Sequence, residues 1–294
     1  MNFNELKKEI YDRSGLDFQT ATDQMQELIF ALDTADTIEL ISEIGAIPEE
    51  IGHDSTEEKL YTKVSDILLA KAFKELNLES MVLSQRADCA DVIVQSHFHK
   101  YSLVGDAKAF RLSRTARNAK DYKVKSMDNW RGDCDYSVLV CPYFHYPKNN
   151  SQIYKEALDV NVSLFSWEYI YILLKEGIKE SPAVNLCRIW NQSEIIGSGT
   201  TVSNAKHCFL PAQNANLASI LNIDIDKFYK YFNQIKSVII QRGHSEIEYY
   251  KREVNRIKQL NRDEAIAELL RTMKFDSKIE TIRNFIDKIS SAVQ

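Results

Sequence analysis

The chain reads as an α/β protein, α+β-like in its mixed sheet: a central β-sheet flanked by helices, with helical extensions at both ends. Three observations point to this class. Apolar residues recur at three- and four-residue spacing before residue 80 and after residue 215, which is the helical period. Between them, four short apolar runs (91–95, 101–110, 136–141 and 162–166) have the length and β-branched content of strands. Helical stretches separate the later runs, an order that lays a helix on each face of one sheet. With 294 residues and 44% hydrophobic content, the chain can bury one large core, so 1–294 is read as a single domain. It comprises a helical extension (1–54), a core (55–180), a loop-rich segment (181–214) and a C-terminal helical region (215–294).

The elements follow in order. Residues 4–50 carry Met25, Leu28, Ile29 and Leu32 on one helical face and break at Pro48. Ser55-Thr56-Glu57-Glu58 is a capping-box start, Ser55 as cap and Glu58 three residues on, for a helix to about Leu78 with the stripe Leu60, Val64, Ile67, Leu68 and Ala72. The period then changes. Asp91–Gln95 and Tyr101–Phe110 are separated by only Ser96–Lys100, so they are expected to pair as an antiparallel hairpin. A helix from about 121 to 131, a strand Tyr136–Cys141 ended by Pro142, a helix 151–159, a strand Val162–Ser166 and a helix from Trp167 to about Lys175 complete the core. Residues 191–206, with Gly197, Gly199 and several Ser, Thr and Asn, read as a loop. Beyond 215 helices are expected at 224–242, 245–260, 262–273 and 277–292.

Charge is polarised. The formal net charge is −5, yet Lys108–Arg131 holds eight Lys or Arg against two Asp, a net +6 that leaves about −11 elsewhere. One basic wall on an acidic protein can attract a polyanion while the remaining surface repels it. The five cysteines, Cys89, Cys134, Cys141, Cys187 and Cys208, are scattered without a CxxC pair, as expected of reduced thiols in a cytosol. No leader-like segment and no apolar run near 18 residues is present, so export and membrane association are not expected.

The chemistry concentrates at the hairpin. Asp106-Ala107-Lys108 ends one strand and Asp91 begins the other, so two carboxylates fall on adjacent strands. Residues two apart in a strand share a face, which sets Lys108 beside Asp106. Asp91, Asp106 and the Ala107 carbonyl are hard oxygen ligands suited to one or two Mg2+, and Lys108 can orient water and offset charge on a phosphoryl group. An acid-x-Lys triplet also occurs at Glu5, Glu57, Asp121 and Asp276. Of these, Glu5, Glu57 and Asp276 lie in helical sequence, where residues two apart do not face each other. Glu58 caps its helix most economically, with a supporting role behind the metal as the alternative. Asp121 and Lys123, read alone, are an ordinary solvated face. In the basic segment Arg111 and Arg114 suit phosphates, Lys120 and Lys125 extend the positive wall, and Arg117 and Asn118 suit guanine and adenine edges. Zinc is not expected, because His97-Phe98-His99 is a turn and Cys141-x3-His145 lacks a second ligand pair. No Gly-rich phosphate loop or GxSxG elbow occurs.

The run from Asp106 to Lys125, with Ser55–Leu60, Leu69–Phe73, Leu164–Glu168, Asp263–Ile266 and Ser277–Glu280 in order, closely resembles HindIII-like type II restriction endonucleases of the PD-(D/E)xK nuclease superfamily. The resemblance spans most of the chain. It implies that superfamily's fold, Mg2+ dependence, a homodimer, cleavage of double-stranded DNA at a palindrome, AAGCTT, and functional pairing with a cognate DNA methyltransferase. It also places Asp106 and Lys108 at the catalytic acid and lysine, Asp91 at the first acid, and Asp121 and Lys123 at an acid and a lysine near the site. Ala90 stands where a proline often precedes the first acid, Ser84 replaces an expected acid, and 183–215 diverges. The competing readings are a non-catalytic DNA-binding protein on a nuclease scaffold and a structure-selective repair nuclease.

Overall fold

The computed structural model describes residues 1–83, 89–114, 118–147, 150–199, 206–273 and 278–284, in two compact units, Met1–Gly243 and His244–Gln294. The N-terminal stretch is three helices, each started by an Asn or Asp whose side chain accepts otherwise orphaned backbone N–H groups. They are α1 (Phe3–Arg13, capped by Asn2), α2 (Phe18–Phe30, capped by Asp17) and α3 (Thr34–Ile41, capped by Asp33). A two-residue strand, β1 (Ala46–Ile47), follows. Ser55 then caps α4 (Thr56–Glu75), accepting Glu58 N–H at 3.1 Å, while the Glu58 carboxylate accepts the Asp54 N–H instead of closing the box on Ser55.

Strand β2 (Glu79–Val82) was not legible in the sequence. It is an edge strand with Met81 60% exposed, so it lacks the apolar run that marks a buried one. Strands β3 (Val92–Gln95) and β4 (Ser102–Ala107) form the expected antiparallel hairpin, with Val92 opposite Gly105. The chain then turns into β5 (Phe110–Arg111), which pairs in parallel with β1. The expected helix over 121–131 is divided into α5 (Ala119–Tyr122) and α6 (Val124–Arg131) by Lys123, whose φ of 49° is left-handed. Next come β6 (Tyr136–Cys141), α7 (Gln152–Asp159), β7 (Val162–Ser166) and α8 (Trp167–Lys175).

The main sheet runs β2-β3-β4-β6-β7, antiparallel at β2-β3-β4 and parallel at β4-β6-β7. Two buried clusters lie on its faces. One joins α4 and α8 to Val92, Leu103, Val138, Val140 and Phe165. The other joins α6 and α7 to Val104, Leu139, Cys141, Val162 and Leu164. Gly105 lets α4 approach: a Cβ there would already touch Leu69 and Phe73 at 3.4 Å.

The stretch read as a loop over 191–206 is helical for half its length. After α9 (Cys187–Trp190), α10 (Gln192–Gly199) is held by the Ser193 hydroxyl donating to the Val162 carbonyl at 2.6 Å and by buried Ile196. Tertiary burial overrides the Gly and Ser signal there. Two further helices follow, α11 (Lys206–Ile220) and α12 (Ile225–Gln259), the latter continuous through Gly243 where a break was expected. A single helix-interior glycine costs only about 1 kcal/mol, which a 35-residue helix absorbs. Asn261 caps α13 (Arg262–Thr272), and 278–284 is helical while the rest of the predicted 277–292 helix lies outside the described residues.

Candidate active site

The hairpin register assembles the first part of the site. Val92 lies opposite Gly105, so Asp91 and Asp106, one step further along each strand, face each other across the ladder. Asp106 is 1% exposed, and the Lys108 ammonium lies against its Oδ2. The backbone of Lys108 is pinned at both ends: its N–H donates to the Val140 carbonyl at 2.7 Å, and its carbonyl accepts from Trp167 Nε1 at 3.1 Å. Ala107, between the two, is buried in β4 opposite Val140.

Helix α4 brings two residues that the sequence reading passed over. Asp66, 2% exposed, joins the acids, and Lys63 Nζ stands 3.9 Å from both Asp66 Oδ2 and Asp91 Oδ1. Their signal was present in the pattern. Asp66 is the sole acid between Glu58 and Glu75, and it opens the all-apolar run Ile67–Ala70. A helix apolar on all sides is buried, and a charge inside it needs a reason.

Three carboxylates thus crowd two ammonium groups. Burial first, and then the charges of Asp91 and Asp106, drive the Asp66 carboxyl well above the usual range. Asp91 is pushed up to about 7 by burial, then by its hydrogen bond to and the charge of Asp106, with Lys63 and Lys108 pulling the other way. Burial favours a neutral Lys108, but Asp106, Asp91 and Asp66 outweigh it and hold the side chain as an ammonium. Asp106 Oδ2 has the Lys108 ammonium against it, and Asp66 Oδ1 is a buried oxygen without a hydrogen-bond partner among the described residues. A buried carboxylate oxygen without a partner, next to further acids, suits a hard divalent cation such as Mg2+, which takes oxygen ligands and would favour the ionised carboxyl groups.

The other predicted residues lie in contacts of their own. Glu58, eight residues before Asp66 and therefore about 12 Å along the helix axis, accepts from Arg111 at 2.6 Å. Arg111 also donates to the Pro48 carbonyl, so it ties β5 both to the residue after β1 and to the start of α4. Arg114 pairs with Asp121 at 2.9 Å, and Asp121 accepts the Asn118 N–H at the start of α5. The Lys123 ammonium lies over the Trp130 ring. Lys120 is exposed on α5, and Lys125 stands 3.5 Å from Glu156. Arg117 and Ser84 lie outside the described residues. A separate exposed group, His53, Asp54 and Glu58, sits at the start of α4, with Glu58 already engaged by Arg111.

This geometry can be set against known proteins. The family model for the HindIII restriction endonuclease matches residues 3–286. The chain belongs to that family. Type II restriction enzyme HindIII of Haemophilus influenzae is 44% identical over 282 residues, covering 96% of this chain and 94% of the relative. Membership makes the chain a type II, site-specific deoxyribonuclease, a hydrolase of phosphodiester bonds, and the mixed sheet flanked by helices accords with the PD-(D/E)xK architecture expected from the sequence. Among the described residues, no helix is long and apolar enough to cross a membrane.

Proposed function

We propose that this HindIII-family endonuclease cuts double-stranded DNA at AAGCTT with Mg2+ held by Asp91, Asp106 and the Ala107 carbonyl, and with Asp66 as a further acid of the same cluster. The observation that carries this reading is the facing pair Asp91 and Asp106 beside the Lys108 ammonium, with Asp66 Oδ1 buried and without a hydrogen-bond partner among the described residues. The sequence AAGCTT rests on the resemblance and on 44% identity across nearly the whole relative.

When bound, Mg2+ supplies positive charge against the developing oxyanion and makes bound water more acidic. The chain's own residues do the rest. Lys108 donates hydrogen bonds to the attacking water and to a phosphoryl oxygen. Trp167 and the β4–β6 ladder fix where that ammonium points. Asp121 and Lys123 act one step removed, by holding the fold of the basic segment through Arg114, Asn118 and Trp130. Base and phosphate contacts from Arg111, Arg114, Arg117, Asn118, Lys120 and Lys125 belong to this proposal, with Arg111 also serving its pair with Glu58.

Each chain carries one such cluster, and two strands must be cut, so the working unit is a homodimer whose two-fold axis matches the palindrome. Helix α12 supports this with Ile247, Tyr250, Val254 and Ile257, 46–52% exposed and spaced three, four and three residues apart on one face. A methyltransferase protecting AAGCTT in the same cytoplasm follows from a restriction role. Digestion of a plasmid of known sequence with Mg2+ tests the whole reading: discrete fragments ending at AAGCTT are expected, and Asp106→Asn should abolish them while DNA binding persists. Cutting by that variant at the unaltered rate would put the catalytic acid elsewhere.

A further inference from the structure

Part of the basic segment is engaged by acids of the chain itself. Arg111 is bound to Glu58, Arg114 to Asp121, Arg131 to Asp128, and Lys125 stands near Glu156. A second pair of lysines lies elsewhere, in a cleft that also holds acids. Thr56, Lys59, Lys63 and Asp66 are spaced three, four and three residues apart, which sets them on one face of α4. That face, with Thr62, forms one wall of a cleft of about 700 Å3 whose opposite wall is α2, through Gln19, Thr22, Asp23 and Gln26. Asp66 and Asp91 lie in the same cleft.

We infer that this cleft binds the phosphodiester backbone of the substrate strand, with Lys59 and Lys63 as its phosphate contacts and the catalytic acids at its end. The inference deepens the nuclease reading and rests on it. Lys63 is built for exchange. Its Nζ is too far from Asp66 and Asp91, 3.9 Å each, for a hydrogen bond, and it donates at 2.9 Å only to the Leu83 carbonyl among the described residues. Two ammonium protons therefore remain for another acceptor. Lys59 is exposed and has no ion pair among the described residues, and it lies one turn, about 6 Å, from Lys63. The acid on the facing wall, Asp23, is engaged by the Gln19 side-chain amide at 2.9 Å. Lys108 is held against Asp106 and does not line the cleft, so the two lysines of the cluster divide the work: Lys108 serves the reacting phosphate and Lys63 a neighbouring one.

The test uses the full-length protein, a short duplex containing AAGCTT, a scrambled duplex, and Ca2+ in place of Mg2+, with binding followed by fluorescence anisotropy across a salt series. Each phosphate contact contributes roughly 0.9 to the slope of log affinity against log salt. Lys59→Met and Lys63→Met should each lower the slope by about one. The loss of affinity should be equal on both duplexes, because phosphate contacts carry no sequence information. Lys63→Arg should restore the slope. Lys59→Met alters an exposed side chain and keeps the test available if Lys63→Met does not fold. Unchanged slopes in folded variants, or a loss confined to the AAGCTT duplex, would overturn the inference. Failure of the unmodified protein to bind either duplex would instead remove the nuclease reading beneath it.

Discussion

Glu168, at the start of α8 next to Trp167, should make the stability of this fold depend on pH in a way that one substitution removes. It is 3% exposed and accepts the Tyr143 N–H at 2.9 Å. Burial pushes its carboxyl up to about 7 from an ordinary 4.5, although hydrogen bonds from the Tyr143 and Glu168 N–H groups and the Ser166 hydroxyl work against the rise. The folded state therefore holds the proton more tightly than the unfolded chain. Below about pH 4.5 the group is neutral in both states and stability is unaffected. Between pH 4.5 and 7 the unfolded chain releases its proton while the folded one retains it, so stability falls as pH rises. Above pH 7 the full penalty applies, about 3 kcal/mol for this displacement, out of a total that is roughly 5–15 kcal/mol for a folded domain. Glu168→Gln keeps the acceptor oxygen and removes the titration. Urea denaturation of both proteins at pH 4 and pH 8 should show near-equal stability at the lower value and a variant more stable by about 3 kcal/mol at the higher one. Other acids, Asp66 and Asp91 included, titrate in both proteins and cancel in the difference. Parallel pH profiles would mean that the buried carboxyl is solvated in a way this geometry does not contain, and the reasoning from burial would be wrong.

Two further outcomes are expected. Trp167→Phe keeps an aromatic ring but removes the donor to the Lys108 carbonyl, a hydrogen bond of roughly 1 kcal/mol; single-turnover cleavage should slow about fivefold with DNA affinity in Ca2+ unchanged, and an unaltered rate would show that Lys108 is positioned without it. Val254→Glu puts a charge on the exposed stripe of α12; sedimentation should then report a monomer with unchanged helix content, whereas a dimer of the usual affinity would move the interface elsewhere.

The hairpin was legible because its determinants are local: five residues separate the apolar runs, and the period-two alternation carries Lys108 to the side of Asp106. The same locality let Ser55 mark the start of α4. Asp66 and Lys63 escaped because their importance comes from packing between a helix and a distant strand, and a helix stripe read for its apolar members discards the charged ones. The basic segment misled in the opposite direction. Counting charge along the chain gave +6, but the acids that neutralise Arg111 and face Lys125 come from Glu58 and Glu156, outside the counted window. Net charge over a segment therefore overstated the field available to DNA. The helix α10 and the division at Lys123 depended on burial and on a single left-handed residue, neither of which has a reliable compositional signature.

The remaining question is why a fold keeps three acids buried around two lysines at a cost to its own stability. Burial and mutual repulsion push the Asp66 and Asp91 carboxyls upward, so the empty cluster near neutral pH carries protons on its acids and does not bear three full negative charges. That protonation limits the repulsion the fold must contain. A divalent cation needs ionised carboxylates as ligands, so its binding would displace those protons. The same crowding that makes the acids hold protons when the site is empty therefore keeps three ligand groups together for an ion, with the Lys63 and Lys108 ammonium groups beside the place where the phosphodiester must sit.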